Sequence, residues 1–223
     1  MGRIAATLLV LGLIGGTAAA FAVTNGLKHE RSPLSRTEVL PKAFSPICRC
    51  STARTVISFD LRRADTVTLS VVDSAGKPAR LLFAARRLPA GLHAYPWNGR
   101  LDDGARAPDG SYKPQVELED ADRVLTLPSA TTIDTKPPIV KVLGVKSTAH
   151  GIAVRYTVDE PAHALLFVGR TRVVVTYRKP LRGSVSLSNL ALSKRHLRGP
   201  VFLAARDPAG NGSKRVPTGK TVG

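Results

Sequence analysis

The sequence predicts an all-β protein, two tandem β-sandwich domains that follow an N-terminal hydrophobic helix and a short stalk. Three observations carry that expectation. An uncharged apolar run occupies 4–23, long enough for one helix. From residue 51 onward apolar and polar residues alternate at period two, and turn residues break the alternation roughly every ten positions, the pattern of half-buried strands in a sandwich. At 137–138 two adjacent prolines, which cannot sit in a central strand, interrupt the pattern before it restarts, so the chain divides into two units of roughly equal length.

The run 4–23 reads IAATLLVLGLIGGTAAAFAV after Met1, Gly2 and Arg3. A helix of that length rises about 30 Å, the hydrocarbon thickness of a bilayer. Two readings stay open. The run is a retained transmembrane anchor, or it is a signal peptide with Arg3 as its basic start and small-residue cleavage sites at Ala18-x-Ala20 or Ala20-x-Ala22. Either one places the rest of the chain outside the cytoplasm, held at the cell membrane in the first case and secreted in the second. Residues 1–24 are assigned to this anchor or signal. Residues 25–50 carry Pro33, Pro41 and Pro46, show no sustained period and read as an extended stalk.

Hydrophobic residues make up 43% of the chain and charged residues 22%, so it can bury a core. In 66–71, Val67, Leu69 and Val71 alternate with Thr66, Thr68 and Ser70, and a turn follows at 73–76. Val116 and Leu118 alternate with Gln115, Glu117 and Glu119. Beyond the prolines, Ile152, Val154, Tyr156 and Val158 share one face, and further strands are expected at 139–145, 162–168, 172–177, 184–188, 201–206 and 212–216. That number of strands suits one Ig-like sandwich. No stretch after residue 23 sustains a helical period. The expected domains are 51–133 and 134–223, the second with a basic C-terminal tail.

Within the first unit stand Ala90-Gly91-Leu92-His93, Trp97-Asn98-Gly99-Arg100, Asp102-Asp103-Gly104 and Pro108-Asp109-Gly110-Ser111-Tyr112. Trp97 ends an alternating strand and is expected to plug the sandwich core. Asn98-Gly99 and Asp103-Gly104 supply residues that accept positive φ where a long hairpin turns, and Gly110-x-Tyr112 begins the return strand. Together with the strands near 57–61 and 67–69, these motifs resemble the Ig-like domain of flagellar hook-capping (FlgD-type) proteins, which recurs in bacterial exported proteins. The resemblance covers about 51–133 and implies a fold, not an activity. The region through which hook-capping proteins engage the flagellum has no counterpart here, so that role is not implied. The second unit is similar to bacterial Ig-like surface modules at Asp134-Thr135-x-Pro137-Pro138 and at 204–212, where Asp207, Gly210, Asn211 and Gly212 are expected to make a tight turn between the last strands.

Catalytic patterns are missing from the sequence. His29, His93, His150, His163 and His196 are scattered without metal-binding spacing, and there is no nucleophile elbow, phosphate loop or dinucleotide fingerprint. Asp159-Glu160 before Pro161 reads as a turn and not as a converging acid and base. No catalytic residue, cofactor or metal is expected, because the sandwich itself accounts for Trp97, Asp102, Asp103 and Asp109. The unusual local feature is Cys48-Arg49-Cys50. A structural disulfide is the favoured reading outside the cytoplasm, with a strained redox pair, intermolecular bonds and a shared metal as alternatives.

Lys plus Arg number 33 against 16 Asp plus Glu, a net charge of +17 that attracts polyanions. The excess is uneven, with 16 cations against 4 acids from Asp134 onward. Arg170 and Arg172, then Arg178, Lys179 and Arg182, then Lys194, Arg195 and Arg198 form the candidate polyanion-binding set. The partners it implies are anionic wall polymer or anionic lipid headgroups, alongside other envelope proteins, and the bland reading is a solvated basic surface. Aromatics at 5% do not interleave with these cations, which argues against nucleic acid, and no small-molecule ligand is expected. The function expected is that of a non-enzymatic cell-envelope protein whose Ig-like modules serve as a spacer or an adhesion surface. The alternative is a wall-active enzyme or accessory module binding envelope glycans through His93, Asp102 and Asp103.

Overall fold

The structure is a computed structural model and describes residues 32–223. The helix expected at 4–23 lies outside the described residues, among which no helix is long and apolar enough to cross a membrane. Two large hydrophobic cores divide the described chain into two modules, each made of two facing sheets, and a small third cluster of Leu165, Phe167 and Ala204 lies in the second.

The first module comprises β1 (Leu34–Leu40), β2 (Ala43–Phe44), β3 (Thr55–Leu61), β4 (Asp65–Asp73), β5 (Pro78–Leu88), β6 (Gly91–Trp97), β7 (Gly110–Leu118), β8 (Arg123–Thr126) and β9 (Thr131–Ile133). One sheet runs β1-β3-β6, and the other runs β2-β9-β7-β4-β5 with β8 also paired to β7. The period-two pattern sets what faces inward. Val67, Leu69 and Val71 of β4 and Val116 and Leu118 of β7 share one core with Ile57, Phe59 and Leu61 of β3. At one end of that core Trp97 is 1% exposed, edge-on to Phe44 at 5.6 Å and to Tyr112 at 5.1 Å, and its Nε1 donates to the Arg100 carbonyl at 2.9 Å. A buried indole needs that partner for its N–H.

The expected stalk at 25–50 is corrected. Its described part from Leu34 is built into the first module: β1 pairs with β3, β2 pairs with β9, and Leu34, Val39 and Phe44 are buried in the core. The periodicity was hidden by a bulge between Ser35 and Glu38, with Arg36 at φ 46°, which turns two residues an odd number of positions apart to the same face.

The second module comprises β10 (Val140–Thr148), β11 (Gly151–Val158), β12 (His163–Val168), β13 (Thr171–Val175), β14 (Arg182–Ser188), α1 (Asn189–Lys194), β15 (Gly199–Arg206) and β16 (Val216–Val222). Its sheets are β10-β11-β14 and β13-β12-β15-β16, closed over Val154, Tyr156, Leu166, Leu187 and Leu203. The short α1 starts where Ser188 Oγ accepts from the Ala191 N–H at 3.2 Å. The last strand lies at Val216–Val222, not at 212–216, because the chain first bridges Arg206 to Gly212. Pro217 and Gly219 are tolerated there because β16 is an edge strand.

Register orders the ends of the modules. In the first, Leu34, Leu61 and Gly91 mark the pole where the chain arrives, while Trp97, Gly110 and Ile133 mark the opposite pole, facing the second module. In the second, Val158, His163 and Arg206 stand at the junction, and the 149–150 and 169–170 turns, α1 and the start of β15 form the free pole.

Phe44→Ala tests the correction. Phe44 is fully buried against Trp97, so the truncation is expected to cost about 3–5 kcal/mol in denaturant unfolding followed by Trp97 fluorescence. A stalk residue in the same assay would shift stability by less than about 0.5 kcal/mol.

Candidate functional site

The junction is built from two tight loops. On the first module, residues 45–53 fold back on themselves: Ser45 N–H donates to the Thr52 carbonyl at 3.0 Å, Cys48 N–H to the Ser45 carbonyl at 3.1 Å, and Ala53 N–H to the Cys50 carbonyl at 3.2 Å. Cys48 and Cys50 are bonded to each other, with Cα atoms 5.2 Å apart. That separation is within reach because the chain turns here and does not run as a strand.

On the second module, the Asp207 carboxylate, 3% exposed, organises the turn that follows β15. Its Oδ1 accepts from the N–H groups of Gly210 at 2.7 Å and Asn211 at 2.9 Å, and its Oδ2 accepts from Asn211 Nδ2 at 2.7 Å. The same Asn211 Nδ2 donates to the Asp134 carbonyl in the connector at 2.9 Å. The two loops then meet. Thr52 Oγ1 donates to the Ala209 carbonyl at 2.6 Å, and Gly210, at φ +101°, lies flat on the disulfide. A Cβ on Gly210 would fall on Thr52 Oγ1 and within 2.5 Å of Cys50 Sγ. The connector is fixed as well, since Asp134 N–H donates to the Phe44 carbonyl at 3.1 Å and Thr135 Oγ1 to Asp109 Oδ1 at 2.9 Å.

Carboxylate oxygens of Asp134, Glu160 and Asp207 lie within 4.8 Å of one another beside this contact, the one such converging group among the described residues. These are the side chains able to approach a single cation, but Asp207 has both oxygens committed to N–H donors of its own turn. Burial first, then the charges of Asp134, Asp207 and Asp159, push the Glu160 carboxyl above the ordinary carboxylate range. Reading Asp159-Glu160 as a turn located the bend but missed this convergence, because Asp134 and Asp207 are distant in sequence and only the fold brings them together.

The candidate polyanion set does not form one patch. Arg170 and Arg172 flank the β12–β13 turn, and Lys194, Arg195 and Arg198 span α1 to β15, all at the free pole. Arg178 and Lys179 lie between β13 and β14, and Arg182 opens β14, all at the junction pole, where Val158 N–H donates to the Leu181 carbonyl at 2.7 Å. All eight are exposed. Nor are the alternative's His93, Asp102 and Asp103 brought together. His93 lies toward the arrival end of β6, with its Nε2 2.8 Å from the Pro89 carbonyl, while both carboxylates lie in the loop beyond Trp97. There Asp102 Oδ1 accepts from Leu81 N–H and Asp103 Oδ1 from Ala105 N–H, so both shape the loop. A cleft of about 770 Å³ beside β1 holds Arg36, Glu38, Ser58 and Asp60, but Asp60 is taken by Arg36 at 3.6 Å and by Ser35 Oγ at 3.3 Å.

Gly210→Val is expected to unseat the turn from the disulfide, so that calorimetry shows two separated unfolding transitions where the parent shows coupled melting; an unchanged profile would mean that the contact carries no coupling. For Glu160, the raised pKa means that the folded state binds the proton more tightly than the unfolded chain. Its contribution is therefore most favourable below the ordinary carboxylate pKa and is lost as pH rises through the raised value. Glu160→Gln should raise the melting temperature at neutral pH and leave it unchanged in acid.

Comparison with known proteins bears on the first module. Residues 49–122 match the FlgD Ig-like domain. The basal-body rod modification protein FlgD of Escherichia coli K12 is 39% identical over 62 residues, which is 27% of this chain and 26% of that protein. The Salmonella typhimurium protein of the same name is 37% identical over the same length, also 27% of this chain and 26% of its own. The chain thus spans about a quarter of the length of these relatives. Among solved structures, the human OSCAR ligand-binding domain is 10% identical with a TM-score of 0.39, covering 80% of this chain and 93% of that one, too distant to bear on fold or function. The matched segment runs from the disulfide loop through β7, with Trp97 and the 98–110 loop inside it, and over that segment the chain is similar to the Ig-like domain of FlgD.

Proposed function

We propose that this chain is a non-enzymatic cell-envelope protein whose two Ig-like modules act as a spacer outside the cytoplasm, held at the membrane or released by the N-terminal apolar run. The observation that carries this reading is the junction. Thr52, the Cys48–Cys50 loop, Asp134 and the Asp207–Asn211 turn fix one module on the other through hydrogen bonds, which serves a part that transmits position and serves no obvious need of a flexible tether. Two further points support it. The carboxylates and histidine offered for an envelope-glycan enzyme are spent on loop geometry at separate places. The shared domain belongs to proteins named for modifying the basal-body rod, a name that fits an assembly part, though only the Ig-like segment is shared.

Cell fractionation tests the reading. The full chain is expected in the membrane or extracellular fraction, with Cys48 and Cys50 protected from thiol reagents until reductant is added. Recovery in the cytosolic fraction with both thiols free would overturn it, as would turnover of wall glycans or esters by the folded protein.

A further inference from the structure

We infer that the free pole of the second module binds a linear, phosphate-bearing polyanion of the envelope, an inference that rests on the envelope reading above. The observation is how this module separates its charges. All four acidic side chains from residue 134 onward lie at the junction pole: Asp134, Glu160 and Asp207 converge there, and Asp159 Oδ1 accepts from the Ile139 N–H at 2.7 Å. The opposite pole carries Lys146, Arg170, Arg172, Lys194, Arg195 and Arg198, all exposed and with no acidic side chain among them. Among the described residues the ion pairs are Arg36–Asp60, Arg80–Asp102 and Arg87–Asp120, all in the first module. A concentrated field of one sign is costly in self-repulsion and is relieved by an anion from outside.

The local geometry favours phosphate. The Arg170 and Arg198 turns are neighbours, joined by a hydrogen bond from Gly169 N–H to the Pro200 carbonyl at 2.8 Å. A phosphate diester presents its oxygens in tetrahedral directions and accepts from guanidinium groups on both turns at once. Beside Arg198, a cleft of about 330 Å³ is lined by the polar Asn189, Ser193 and His196 and by the apolar Leu192, Leu197 and Val222, which suits a chain unit that carries both a phosphate and an aliphatic part. The segments 146–151, 169–172 and 189–199 contain no Phe, Tyr or Trp, so there is no platform on which nucleobases would stack.

Chain direction favours a polymer over a bilayer. Residue 34 enters at the pole of the first module that faces away from the junction, so, where the run 4–23 is retained as an anchor, the chain comes from the membrane at one end of its path through the two modules and carries the basic pole at the other.

The test uses the full chain in non-ionic detergent and end-labelled poly(glycerol phosphate), read by fluorescence anisotropy over a range of salt. Binding should weaken steeply with salt, and Arg195→Glu with Arg198→Glu should lower the slope of log K against log salt by about 1 to 2 and weaken binding at least about 30-fold. Arg178→Glu with Lys179→Glu makes the same change in net charge at the junction pole and should weaken binding by less than about threefold, given the short reach of screened charges. Equal losses from the two pairs, or no loss from the distal pair, would overturn the assignment to the free pole. Equal affinity for polyglutamate would overturn the phosphate assignment, and preference for vesicles containing phosphatidylglycerol over the polymer, abolished by the distal pair, would replace the polymer with a lipid surface. Each result is independent of where the protein fractionates, so failure here leaves the envelope reading separately decidable.

Discussion

The carbonyl oxygen of Ala209 is where the two halves of this molecule become one object. It accepts the Thr52 hydroxyl at 2.6 Å, in a turn that its own Asp207 has already made rigid, and the residue beside it has no side chain to hold the disulfide away. One such bond is worth about 1 kcal/mol net, too little alone to align two domains. Its effect comes from what surrounds it. Each participating loop is ordered by its own module before they meet, so the contact is made between preformed surfaces and little further chain entropy is lost.

That preformation reaches back into both cores. The 45–53 loop is anchored because Phe44, immediately before it, is buried against Trp97, and because β2 runs beside β9 with the connector leaving from the same place. Gly99 belongs to the same arrangement. At φ +72° it turns the chain after Trp97, and a Cβ there would come within 2.8 Å of Pro46 and 3.2 Å of Phe44. The loop after the tryptophan thus packs under the segment that carries the disulfide. An Ig-like module with a different approach to its first strand would lack the platform on which the second module sits.

Much of this was legible in the sequence, and the losses have physical causes. The alternation at 66–71 and at 152–158 fixed inward faces because those strands are central and regular. Trp97 and the glycines after it were readable as a core plug with its turn because few residues tolerate that geometry. The first two strands were not readable: β1 carries a bulge, β2 is two residues long, and three prolines near them mimic a tether. The helix α1 is too short to show a period. The excess of positive charge is plain in the sequence, but its meaning depends on register, which sends 178–182 to one pole and 194–198 to the other. No spacing along the chain announces that split or the approach of Asp134, Glu160 and Asp207.

The central claim is that the junction holds the modules in one orientation. Pairs of spin labels, one at Lys113 on β7 and one at Ser186 on β14, both exposed, report it directly through the distribution of distances between them. The account predicts a single narrow distribution in the oxidised protein that broadens when Thr52→Val and Gly210→Val are introduced together. A distribution already broad in the parent, or one unmoved by that pair, would contradict it.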